Sequence, residues 1–191
     1  MAAAAHDSDS DGSWADYPEE DPDRGAALDA EMARMDQLLQ ERLQNGDWCT
    51  CGYCFPPEHA FSAHDVTCCQ ESQPAREMCN DYQEFGDEMP YPCVTQHPSF
   101  YHQCLHERGL NNRAHLYMMP GVDVRMVDRN ERLRYIAFRV YIAWTHGRLG
   151  RRNRRAIPHC IQKAIRRRFP DPHGRYTGHQ PADLADQQPG A

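Results

Sequence analysis

The residues best equipped for chemistry are nine cysteines in a chain of 191 residues. Trp48-Cys49-Thr50-Cys51-Gly52-Tyr53-Cys54 packs three thiols into one knuckle, and its Cys51-x2-Cys54 step is the spacing by which two thiolates grip one tetrahedral ion. Cys68 and Cys69 follow fourteen residues after Cys54, and Cys79 ten residues beyond Cys69, within the range over which zinc modules pair a second set of ligands. Sulfur donors select zinc over magnesium or calcium. Adjacent cysteines such as Cys68 and Cys69 point apart and serve two ions better than one. Two tetrahedral ions sharing one thiolate need seven sulfurs, and Cys49, Cys51, Cys54, Cys68, Cys69, Cys79 and the distant Cys160 supply seven. Cys93 and Cys104 are then packing residues. His59 and His64 fall between the ligand pairs and are read as solvated loop residues. The start of the chain has no charged-then-apolar export layout, so the cysteines are expected to stay reduced in the cytoplasm rather than form disulfides.

No motif for catalysis accompanies them. The chain has no G-x4-G-K-[ST], no H-E-x-x-H and no G-x-S-x-G, and a zinc ion held wholly by cysteine has no open position for water. The chain is therefore not expected to be an enzyme. No apolar run reaches the roughly 20 residues that a membrane helix requires.

Charge is segregated. Residues 1–24 carry eight acids against Arg24, which accounts for the whole net charge of -7. Arg132 to Arg168 holds twelve basic residues and no acid, and Lys163 is the only lysine among the 21 basic residues of the chain. Arginine's planar fork suits carboxylate and phosphate, so nucleic-acid binding through residues 148–168 is the second reading, and the run also matches a nuclear localisation signal. The same basic stretch would offset the charge of seven thiolates on two zinc ions.

The elements that must position these residues are helical. Residues 1–25 read as a disordered acidic tail and 181–191 as a second tail, leaving a domain over 26–180. Leu28, Met32, Met35 and Leu39 predict a leading helix over 27–45, with Gly46 beyond its end. Phe100, Tyr101, Cys104 and Leu105 suit a short helix closing near Gly109, and a second short one follows over 113–119. Leu133, Ile136, Ala137, Val140, Tyr141 and Trp144 form an apolar stripe three turns long that ends at His146-Gly147. Pro158 opens a last helix, which Phe169-Pro170 stops after Arg168. Strand signals are confined to short runs such as 122–126, so the fold is expected to be mainly α with irregular zinc-stabilised loops, a small α+β arrangement being the alternative.

Taken together, these motifs resemble the intracellular-domain family of P2X purinoceptor 7, the ballast domain of an ATP-gated channel. The likeness rests on W-C-T-C-G-Y-C at 48–54, C-C-Q-E at 68–71, Cys79, L-R-Y-I-A-F-R-V-Y-I-A-W at 133–144, I-P-H-C at 157–160, I-R-R-R-F-P at 165–170 and G-R-Y-T-G at 174–178. It spans about two thirds of the chain. The resemblance implies a mostly helical wedge around two zinc ions held by Cys49, Cys51, Cys54, Cys68, Cys69, Cys79 and Cys160. It also implies a guanine-nucleotide site for GDP or GTP at Arg134, Tyr135, Phe138, Arg155, Tyr176, Thr177 and Gly178. Tyr135 stands where the family has histidine, Phe138 where it has tyrosine, and Asp171 where it has lysine. With no membrane helix or ectodomain in the sequence, the expected role is a cytoplasmic, non-channel scaffold whose partners are other proteins.

Overall fold

A computed structural model describes residues 22–116, 128–147, 149 and 154–179. Among them every regular element is helical: α1 (Pro22–Gln44), α2 (Gln73–Asn80), α3 (Pro98–Phe100, continued by a wide turn over Tyr101–Leu105), α4 (Glu107–Leu116), α5 (Arg129–His146) and α6 (His159–Arg168). The expected run at 122–126 and both tails beyond 22–179 lie outside the described residues. α1 starts earlier than the predicted Ala27. Gly109, expected to close a helix, lies inside α4 instead; the break comes at His106, whose Nδ1 accepts the Gly109 N–H at 3.3 Å.

The chain divides into two compact units, residues 1–34 and 35–191. In the first, Leu28 and Met32 of α1 are exposed. In the second, α1 ends where the Trp48 indole donates to the carbonyls of Arg42 and Asn45, satisfying acceptors that the last helical turn leaves open. Arg42 itself reaches the Val66 carbonyl and both oxygens of Glu71, which ties that helix end to the cysteine loops.

α5 is the central element of this unit, packed against α2, α4 and α6. Its start is fixed by Asp128, whose Oδ1 accepts the N–H groups of Asn130 at 2.8 Å and Glu131 at 3.2 Å. Its end is fixed by Gly147 at φ 70°, a left-handed conformation that glycine adopts without steric cost. The predicted stripe is the buried one, with Leu133, Ile136, Ala137, Val140 and Tyr141 all inside and Trp144 partly covered. Asp128→Ala is expected to lower stability by about 1 kcal/mol, the usual worth of such a cap, read from urea melts.

The core joins Phe100, Leu110, Ile161, Ile165 and Phe169 to eight cysteines, so thiols fill the position that aliphatic side chains take elsewhere. That places the chemistry of the chain in its interior.

Candidate metal centre

The knuckle at 48–54 is shaped by backbone. The Cys49 N–H donates to the Gly46 carbonyl at 2.9 Å, and Gly52 at φ 81° turns the chain so that Cys51 and Cys54 face one another. The Cys51 and Cys54 sulfurs are 3.7 Å apart, and those of Cys49 and Cys51 are 3.8 Å apart. The N–H of Cys54 points at the Cys49 sulfur at 3.2 Å and that of Tyr53 at the Cys51 sulfur at 3.4 Å, so backbone donors fix where both sulfurs sit.

The remaining thiols arrive from three other segments. Cys68 and Cys69 sit at the head of a single turn over Cys69–Glu71, where the Cys68 N–H donates to Glu71 at 2.7 Å and Arg42 clamps the same carboxylate. Cys93 ends the proline-rich connector, 3.8 Å from the Cys69 sulfur, and accepts the Thr95 hydroxyl at 3.1 Å. Cys160 lies in the first turn of α6, held beside the loop by the His159 N–H on the Thr67 carbonyl at 2.8 Å.

These converge as two groups of four. Cys49, Cys51, Cys54 and Cys68 form the outer group and Cys51, Cys69, Cys93 and Cys160 the inner one, the sulfurs within each lying inside 4.8 Å of one another. Cys51 belongs to both. A tetrahedral ion with zinc–sulfur bonds of about 2.3 Å requires sulfurs about 3.8 Å apart, and the observed separations of 3.7 and 3.8 Å fit it. The adjacent Cys68 and Cys69 fall in different groups, as their opposed directions require. The groups comprise seven cysteines, the expected number, but with one exchange of membership. Cys93, expected to be a packing residue, is in the inner group, whereas Cys79, expected to be a ligand, is in neither. Cys79 is buried on α2 with its thiol turned to Cys69, which draws its pKa below the ordinary thiol value. Cys104 is buried away from the groups, and burial pushes its thiol up to about 12.

Crowding sulfur against sulfur splits the acidities of the thiols. Hydrogen bonds with Cys160, Cys54 and Cys68 hold Cys51 far below the ordinary thiol range, while contacts with Cys160 and Cys51 push Cys54 far above it.

Beside the thiols lies a polar knot that the sequence did not single out. Asp65, 1% exposed, accepts at Oδ2 from the N–H groups of Phe61 and Ser62 and from the Ser62 hydroxyl, and at Oδ1 from Gln162 and the His179 N–H. His159 donates from Nδ1 to the Asp65 carbonyl at 2.7 Å and accepts the Glu58 N–H at Nε2, so its ring is neutral; burial lowers its pKa accordingly. His59 and His64 belong to neither thiol group: the first stacks at 4.4 Å on Tyr176, the second at 5.1 Å on His179.

The residues expected at a nucleotide site are only partly gathered. Arg134, 6% exposed, donates to the Phe169 carbonyl at 2.8 Å, pairs with Asp171 at 3.5 Å and covers the Tyr176 ring. Arg166 stacks on the same ring and donates to the carbonyls of His59 and Thr177. The N–H groups of His173 and Arg175 hold the Asp171 carboxyl below its usual range. Gly178 abuts Asp65, a Cβ there falling 2.4 Å from Oδ2. Tyr135 is exposed and bonded to Arg139, Phe138 lies at the edge of the core, and Arg155 is exposed.

Comparison with known proteins decides the family, because the model for the P2X purinoreceptor 7 intracellular domain matches residues 9–180. The chain belongs to that family. Two of its relatives are the P2X purinoceptor 7 of Mus musculus, 29% identical over 150 residues, and that of Rattus norvegicus, 24% identical over 160. The alignments cover 74% and 82% of this chain but 22% and 24% of the receptors, so the chain spans less than a quarter of the length of either. Within the described residues no helix is long and apolar enough to cross a membrane.

Proposed function

We propose that the chain is a cytoplasmic interaction module of the P2X purinoceptor 7 intracellular-domain family, held in shape by two zinc ions and presenting its surface to protein partners. The observation that carries this reading is the pair of four-thiol groups sharing Cys51. Zinc bound there would cross-link the knuckle, the 68–69 turn, the connector and α6, and a fully sulfur-filled coordination leaves no position for catalytic water. The ligands are Cys49, Cys51, Cys54 and Cys68 for one ion and Cys51, Cys69, Cys93 and Cys160 for the other.

The nucleic-acid reading has less support. Arg148, Arg151 and Arg152 of the basic run lie outside the described residues; of the three arginines that end α6, Arg166 is buried and bonded to backbone carbonyls, Arg167 pairs with Glu58 at 2.7 Å, and Arg168 covers Phe169. They are engaged within the chain. A guanine nucleotide has similarly little to hold, since Arg134 already faces Asp171 and the Phe169 carbonyl.

Elemental mass spectrometry of the purified chain tests the proposal. Two zinc ions per chain are expected, falling to about one or fewer in Cys93→Ser and unchanged in Cys79→Ser. Loss of zinc in Cys79→Ser with full retention in Cys93→Ser would overturn the ligand assignment, and absence of zinc from the unmodified chain would overturn the reading itself.

A further inference from the structure

Of the seven grouped cysteines, six are buried and one is not. Cys49 is partly exposed, at the outer edge of the knuckle, and its sulfur lies 3.8 Å from that of Cys51. The Cys54 N–H, directed at the Cys49 sulfur at 3.2 Å, holds that sulfur at the edge of the knuckle. Cys51, by contrast, is 4% exposed and is the sulfur common to both groups. Access and structural importance are thus divided between two neighbouring residues.

We propose that Cys49 and Cys51 form an oxidation site for hydroperoxides, with Cys49 the point of attack and Cys51 the resolving thiol, so that one disulfide dismantles both metal sites. This rests on the zinc reading for its consequence, though not for the chemistry of the pair. In the first step the Cys49 thiolate attacks the hydroperoxide and takes one oxygen, giving a sulfenic acid and, after one proton is taken up, an alcohol or water. In the second, the Cys51 thiolate attacks the Cys49 sulfur; the S–S bond forms and hydroxide leaves, taking a second proton to become water. Two electrons pass from the two thiolates to the peroxide. The sulfurs must close from 3.8 Å to about 2 Å, a movement confined to the Cys49-Thr50-Cys51 bend.

Sharing is what makes the effect large. The outer group loses two of its four ligands, and the inner group loses Cys51 and keeps only Cys69, Cys93 and Cys160. Oxidation of an unshared thiol would leave one of the sites intact.

The test uses the full chain, reduced and loaded with zinc, treated with hydrogen peroxide at neutral pH in excess chromophoric chelator. Release of two zinc ions per chain is expected, in step with the loss of two hydrogens that tandem mass spectrometry maps to the Cys49–Cys51 segment. Cys49→His keeps a zinc-binding side chain but cannot form a disulfide, and the zinc it holds before oxidant is added should be released at least tenfold more slowly. Cys104→Ser, which changes a buried thiol outside both groups, should release zinc at the unmodified rate. Release from Cys49→His at the original rate, or a disulfide mapped among the buried cysteines, would overturn the proposal. Zinc content is measured before oxidant is added, so a zinc-free chain refutes the zinc reading alone; in such a chain the loss of two hydrogens at Cys49–Cys51 supports the pair, and its absence there refutes it.

Discussion

Cys51→Ser is expected to remove both zinc ions and, with them, the folded state of the described residues that surround the thiols. No other single cysteine is common to the two groups of four, so no other substitution takes a ligand from each. A structural zinc site contributes apparent binding free energy of about 10–16 kcal/mol in small zinc-dependent domains, because the site does not exist until the chain folds. Whole domains of this size have net stabilities of only about 5–15 kcal/mol. Four segments distant in sequence meet at these sulfurs. Zinc content by elemental mass spectrometry and near-ultraviolet circular dichroism check this together. The expected outcome is less than half an ion per chain and loss of the aromatic signal, with Cys79→Ser retaining both. A Cys51→Ser chain that kept two ions and its aromatic signal would show that Cys51 is not the shared ligand.

The contrast between Cys79 and Cys93 shows where sequence reading stops. Helical stripes are local, because residues three and four apart share a face whatever the rest of the chain does, and so the buried side of α5 and both ends of α6 were legible residue by residue. The number of thiols in the two groups was legible too, since two tetrahedral groups of four with one shared sulfur require seven. Membership was not, because one cysteine carries the same donor as another and spacing constrains only those close in sequence. Cys79 sits at the favourable spacing, but α2 and the return of the connector alongside it, with the Tyr91 N–H on the Cys79 carbonyl at 2.9 Å, bring Cys93 to the inner group instead. Arg166 is a similar case. Within a basic run it reads as a solvated cation, yet carbonyls of residues more than a hundred positions away take its donors. Asp65 went unread, although Ser62-x-x-Asp65 is the pattern of a helix start and is a signal for the bonds to the loop, if not for those to Gln162 and His179.

Those bonds make Asp65→Ala the most damaging substitution expected away from the cysteines. The carboxylate is 1% exposed, and it joins the 61–65 loop to α6 and to the segment that carries Tyr176 and Gly178. Removing it leaves the backbone N–H groups of Phe61, Ser62 and His179 and the Ser62 hydroxyl without this acceptor, while the Gln162 amide keeps its bond to the Ile157 carbonyl. A hydrogen bond to a charged group is worth about 1.5–3 kcal/mol, and donors near the surface recover part of this from water, so a loss of about 3–5 kcal/mol is expected. Asp65→Asn keeps one carbonyl oxygen and should cost less. Its amide hydrogens would face the donors that Oδ2 now accepts, chiefly the Ser62 and Phe61 N–H groups, so part of the loss remains. Denaturant midpoints of the zinc-loaded chains give the size of the effect. Limited proteolysis separates its origin: early cleavage within 170–179 in Asp65→Ala, with zinc still bound, would show that the acid pins this segment independently of the metal, whereas simultaneous loss of zinc would show that the two are one cooperative unit.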